Sequence, residues 1–103
     1  MTSTDELLPP SVVRHVLDER ARQEQLRRDG KFHATCATLG PEAMTTFECF
    51  TVLGEEVGEV ARAVLEYSSP KADTHVTKQR LYQELIQVAA VSLAWASRLR
   101  DDS

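Results

Sequence analysis

The chain has 103 residues, room for one domain and not two. It is 42% hydrophobic and 27% charged, as a folded globular protein is, and its formal net charge of −4 argues against a general nucleic-acid binder, which is normally basic. No apolar run reaches membrane-spanning length, because Gln87 and Ser92 interrupt the best one. A charged-then-apolar signal pattern is missing from the first residues, so secretion is not expected. Cys36 and Cys49 have neither CxxC nor zinc-ligand spacing and read as reduced thiols of a cytoplasmic protein.

Met1 to Leu8 reads as a frayed tail, making 1–10 a flexible segment ahead of a helical domain over 11–100. Pro9-Pro10-Ser11 is a helix start with Ser11 as its N-cap, and the first helix is expected from about Val12 to Asp29, ending at Gly30. Lys31 to Gly40 reads as a loop. Pro41 suits the first turn of a second helix, expected from about Pro41 to Glu66. Phe50, Leu53, Val57, Val60 and Val64 alternate at spacings of three and four and form one apolar stripe along it. Ser68-Ser69-Pro70 breaks that pattern, and a third helix follows from about Asp73 or Thr74 to about Arg100. Strand alternation and internal repeats are absent from the sequence. The expected fold is all-α.

From Leu85 to Ala96 the third helix is apolar on nearly every face, and such a helix must be buried all round. Two other helices in so short a chain can hardly surround it. A bundle of three long helices per chain, completed by oligomerisation as a homodimer or a dimer of dimers, is the economical expectation. A generously packed monomer core is the alternative.

The chemistry concentrates in Glu55-Glu56-Val57-Gly58-Glu59 and in Glu84-Leu85-Ile86-Gln87. Glu55 and Glu59 stand at i,i+4, where like charges destabilise a helix. Glu84 shares a stripe with Leu81, Val88 and Trp95, where a carboxylate is costly unless it is paired or metal-bound. Pairing with Arg20 or Arg62 would satisfy Glu84 alone. Taken with three further carboxylates on a neighbouring helix, a hard divalent cation with oxygen ligands is the better match, and Mg²⁺ points to phosphate chemistry.

These residues resemble the MazG-like all-α nucleotide pyrophosphohydrolases. The resemblance runs through Leu17-Asp18-Glu19-Arg20-Ala21-Arg22-Gln23, through Leu53 to Ala61 and through Glu84 to Val91, and it covers most of the chain from about Val12 to Leu99. It implies a helical bundle of paired subunits that cleaves a nucleoside triphosphate at the α-phosphorus to a monophosphate and pyrophosphate. It further implies Glu56, Glu59 and Glu84 as ligands of Mg²⁺ (or Mn²⁺), with Gln87 at the fourth ligand position and Glu55 as a further ligand or water-orienting base. Two departures stand out. Gln87 replaces an expected Asp, and the Lys-Trp-Gly of close relatives is missing after Gln23, where Lys31-Phe32 would offer a cation and a stacking face instead.

Lys78 and Arg80 precede Glu84 by one to two turns and either reach phosphates or face water. Arg27, Arg28, Lys31 and His33 read more simply as a solvated helix end than as a triphosphate receiver. Trp95 reads as packing, and His15 and His75 have no metal-ligand partners at useful spacing. Two function classes follow: a Mg²⁺-dependent nucleoside triphosphate pyrophosphohydrolase, or a non-catalytic helical oligomer that binds nucleotide weakly. A biosynthetic nucleotide such as phosphoribosyl-ATP is a narrower substrate option within the first.

Overall fold

Among the described residues four α-helices follow one another: α1 (Thr4–Leu7), α2 (Pro10–Arg28), α3 (Thr46–Tyr67) and α4 (Thr74–Asp101), with a 3-10 turn at Gly40–Glu42. The computed structural model describes the backbone of residues 3–101 and every side chain among them except that of Asp5. Among the described residues there is no strand, so the all-α expectation of three long helices holds. Within the expected tail Thr4–Leu7 makes one helical turn, while Met1 and Thr2 lie outside the described residues.

Helix α2 starts on Pro10, one residue before the expected N-cap Ser11, because proline lacks the N–H that the first turn cannot use and has a helical φ already set. Its end is a Schellman arrangement. Lys31 N–H donates to Leu26 C=O at 2.9 Å and Gly30 N–H to Arg27 C=O at 3.0 Å, with Gly30 at φ 77°, a conformation that favours glycine. Helix α3 begins five residues later than Pro41 suggested. Thr45 and Glu48 form a capping box: Glu48 N–H donates to Thr45 Oγ1 at 3.0 Å and Thr45 N–H to Glu48 Oε1 at 2.9 Å. Pro41 instead sits in the 3-10 turn. Asp73 caps α4, its Oδ1 accepting from the N–H groups of His75 at 3.1 Å and Val76 at 3.2 Å.

Helix α4 packs against both α2 and α3. Ala90, Val91 and Ala94 are its buried face, and the small alanines let the neighbouring backbones come close. Cys36, Cys49, Val91 and Ala94 make the core cluster, with Met44, Val52, Leu53 and Trp95 packed around it. The buried arginine Arg98 donates to the Met44 carbonyl and ties the segment before α3 to the end of α4.

The expected stripe on α3 packs within the chain only in part: Leu53 borders the core and Val60 is half-buried, while its other members face outward. Cys49 and Ala63 are buried and Glu56 is half-buried, whereas Phe50 is 64% and Val57 51% exposed. Leu85 and Leu93 on α4 are likewise more than half exposed, so α4 is not buried all round by its own chain. The Cα radius of gyration, 15.6 Å, exceeds the roughly 13 Å of a compact domain of about 100 residues. Periodicity locates an apolar stripe; it does not say which neighbour covers it.

Candidate active site

The inward face of α3 carries Glu56 against α4, where Glu84 rises from the same stripe as Leu81 and Val88. Both carboxylates are half-buried. In each, Oε2 is shut off from solvent and makes no hydrogen bond with any described residue. Burial pushes the Glu56 carboxyl above its ordinary value, and the charges of Glu84, Glu19 and Glu59 push it further the same way, against the pull of Arg22. Neither expected arginine reaches Glu84: Arg20 bonds Gln23 and Glu24, and Arg62 lies 3.8 Å from Glu66. Each oxygen lacks a partner among the described residues, and the two carboxylates are near enough for the Glu84 charge to raise the Glu56 carboxyl.

Glu19 of α2 is the member of this patch that spacing did not single out. Arg22, one turn on, holds it with two bonds, Nε to Oε1 at 2.8 Å and Nη2 to Oε2 at 2.7 Å. The signal lay in the Leu17–Gln23 segment, but which of its charged residues turns toward α3 depends on how α2 packs.

A cavity of about 480 Å³ adjoins Glu19, Glu55 and Glu56, while Glu84 lines neither this cavity nor the groove between α2 and α4. Cys36, Met44, Val52, Val91 and Ala94 give it an apolar floor, and Glu19, Arg22, Lys31, Phe32, Glu55 and Glu56 stand among its polar and aromatic walls. Lys31 and Phe32, placed by the turn at Gly30, line the same cavity as Glu55 and Glu56. Glu59 is exposed and lines no cavity, though its charge reaches Glu56. Gln87 is half-buried on the other side of Glu19 and Arg22, in a groove of about 600 Å³ between α2 and α4 that His15, Asp18 and Tyr82 also line. The structure does not bring Lys78 and Arg80 to either space; Arg80 Nε lies 3.5 Å from Glu66 Oε2. In the basic cluster, Arg27 binds Glu24 and Arg28 binds Gln25, leaving Lys31 and His33 on the cavity, where His33 also pairs with Glu42. Tyr82 holds His15 through a 2.7 Å hydrogen bond to Nδ1.

The cavity's outer wall is the segment after α2. Thr35 Oγ1 donates to Glu24 Oε2 at 2.7 Å, and Arg20 and Arg27 hold the same carboxylate at 2.8 and 3.0 Å. Burial works against the charge on Glu24, but these three bonds and the Arg20 charge outweigh it and hold the group at about 2. Cys36 and Cys49, thirteen residues apart, are both free thiols buried in one cluster. Burial first, and then Cys49, push Cys36 up to about 12, which keeps it a neutral wall of the cavity.

The donor set fits a hard divalent cation in kind. Mg²⁺ is commonly held by one or two carboxylates plus substrate phosphates and waters, which Glu56 and Glu84 can supply. Among the described residues no three acidic, histidine or cysteine side chains converge to enclose an ion by themselves. The arrangement has room for an ion shared with a ligand. Comparison with protein-family models, with curated proteins and with solved structures gives no match.

Proposed function

We propose that this chain is a Mg²⁺- or Mn²⁺-dependent nucleoside triphosphate pyrophosphohydrolase of the MazG-like kind, releasing a nucleoside monophosphate and pyrophosphate. The observation that carries the reading is the pair of buried, unpartnered carboxylate oxygens on Glu56 and Glu84, with Glu56 on the wall of a cavity that also has cationic and aromatic walls. Glu56 and Glu84 would hold the cation, with Glu59 and Gln87 as outer members of the set. The bound cation supplies charge neutralisation at the phosphates and a more acidic water. Glu55, exposed on the cavity wall, takes the proton of the water that attacks the α-phosphorus as the bond to the bridging oxygen breaks. Arg22 and Lys31 receive phosphate oxygens, and Phe32 offers the base a face over the apolar floor.

The same reading includes self-association. Phe47, Phe50 and Val57 on α3 and Leu85 and Leu93 on α4 expose apolar surface that a second copy would cover, in a homodimer or a dimer of dimers. Two reduced, buried thiols suit a cytoplasmic setting.

One observation favours a non-catalytic helical oligomer instead: Gln87 brings no charge and faces the α2–α4 groove rather than the cavity. Purified protein assayed for pyrophosphate release over a nucleotide panel, with Mg²⁺ or Mn²⁺, decides between them. Release that disappears in Glu56→Gln supports the enzyme. A folded protein with no release on any nucleotide favours the oligomer.

A further inference from the structure

The polar face of α2 is a continuous chain of hydrogen bonds with two buried links. At one end, Thr35 Oγ1 donates to Glu24 Oε2 at 2.7 Å, which also accepts from Arg20 Nη2 at 2.8 Å. Arg20 Nη1 donates to Gln23 Oε1 at 2.8 Å, and Gln23 Nε2 donates to Glu19 Oε2 at 3.3 Å. Arg22 closes the other end on Glu19. Gln23 and Thr35 are 9% and 7% exposed, so neither can exchange these partners for water. The chain thus begins on the wall of the cavity and ends on the carboxylate that faces Glu56. A neutral amide in the middle of a charged helix face has one evident use here: it accepts from a cation on one side and donates to an anion on the other, which no charged residue does.

We propose that Gln23 is a positioning residue that sets the Glu19 carboxylate beside Glu56 and the Thr35 wall of the cavity as one unit, so that the acidic patch and the loop over residues 31–38 respond together. The functional consequence rests on the reading that the acidic patch binds a divalent cation. Cation binding at Glu56 and Glu84 and ligand binding under the loop would then be linked through α2, since a change in Glu19 travels to Thr35 along fixed bonds. Partners that orient ligating groups from outside the coordination sphere commonly change metal affinity without touching the metal.

The test uses the full chain with Mn²⁺ alone as probe, together with amide hydrogen exchange over residues 31–38. Gln23→Met keeps the side-chain length and removes both bonds; Thr35→Val cuts the chain at its far end; Arg28→Ala, an exposed residue bonded only to Gln25, is the control. Gln23→Met is expected to weaken Mn²⁺ binding about tenfold and to speed exchange over 31–38. Thr35→Val, remote from the acids along the chain, weakens Mn²⁺ binding in the same direction, and Arg28→Ala changes neither. Faster exchange with unchanged Mn²⁺ affinity in both variants would overturn the proposal and leave Gln23 a structural amide. Should Gln23→Met fail to fold, Thr35→Val alone carries the decision. A wild-type protein indifferent to Mn²⁺ would sink the metal reading and not the link. The link then stands if Glu19→Gln speeds exchange over 31–38, and falls if that exchange is unchanged.

Discussion

Glu24 and Glu56 are the same residue type at similar, partial burial, and their environments drive them in opposite directions. Glu24 receives Thr35, Arg20 and Arg27 and is held down at about 2. Glu56 receives burial and three like charges against one arginine, and is pushed up. The first carboxylate is finished by its own chain. The second has an oxygen without a partner among the described residues, which is the ground on which the proposed function places a cation there. The contrast separates structure from site more sharply than acidity does, since α2 carries acidic residues of its own in Asp18, Glu19 and Glu24.

The largest way to break this contrast is to cut the finished carboxylate. Glu24→Ala strands Arg20, Arg27 and Thr35 and should cost about 2 kcal/mol in denaturant unfolding, a figure reduced for the group's partial exposure. Glu56→Gln should cost nothing in metal-free protein, because it removes repulsion. Equal losses from the two substitutions would erase the distinction.

Gln87→Asp sharpens it next. If Gln87 belongs to the ligand set, one more anionic oxygen should tighten Mn²⁺ binding by about tenfold, or about 1.4 kcal/mol. If the amide only lines the α2–α4 groove, the new charge has no cation, and the variant melts lower and ignores Mn²⁺. Calorimetric titration of both proteins tells these apart.

The pH dependence of stability gives a smaller effect with two signs. A raised carboxyl binds its proton more tightly when folded, so as pH falls from neutral through the raised Glu56 range the protein gains stability. Below about 4.5 the sign reverses: the unfolded chain takes up protons that Glu24 refuses, and stability is lost progressively toward 2. Urea unfolding at a series of pH values should therefore show a maximum on the acid side of neutral. Glu56→Gln should remove the rise, and Glu24→Gln should flatten the fall.

The mildest effect on the single chain comes from Leu93→Asp. Leu93 is 54% exposed, so the fold should lose no more than about 0.5 kcal/mol, while an assembly that covers this face should dissociate. Light scattering of the variant beside wild type reads this directly. A wild-type chain that is monomeric at micromolar concentration would remove self-association from the account.

What the sequence made legible depends on the range of each interaction. Helix α4 was readable almost to the residue, since Asp73 before Thr74 and the run to Arg100 are local signals. The acids were readable as a pattern, and so was the nearness of Lys31-Phe32 to the site. The start of α3 was written in Thr45 and Glu48, but Pro41 is the louder signal and points five residues too early. Glu19 and the burial of Cys36 with Cys49 in one cluster were not readable, because both depend on how α2 and the segment after it lie on α3 and α4. The outward turn of Phe50 and Val57 belongs to the same class: a stripe has a period, but its partner is a tertiary fact.

The central claim is that Glu56 and Glu84 are an unfinished pair awaiting a divalent cation. Melting temperature measured against Mn²⁺ concentration, for wild type and for Glu56→Gln and Glu84→Gln, tests it most directly. At a hundred times its dissociation constant the ion should stabilise the wild-type fold by about 2.7 kcal/mol, a rise of about 10 °C, and neither variant should respond. A wild-type melting curve that Mn²⁺ leaves in place, or variants that rise as the wild type does, would contradict the account.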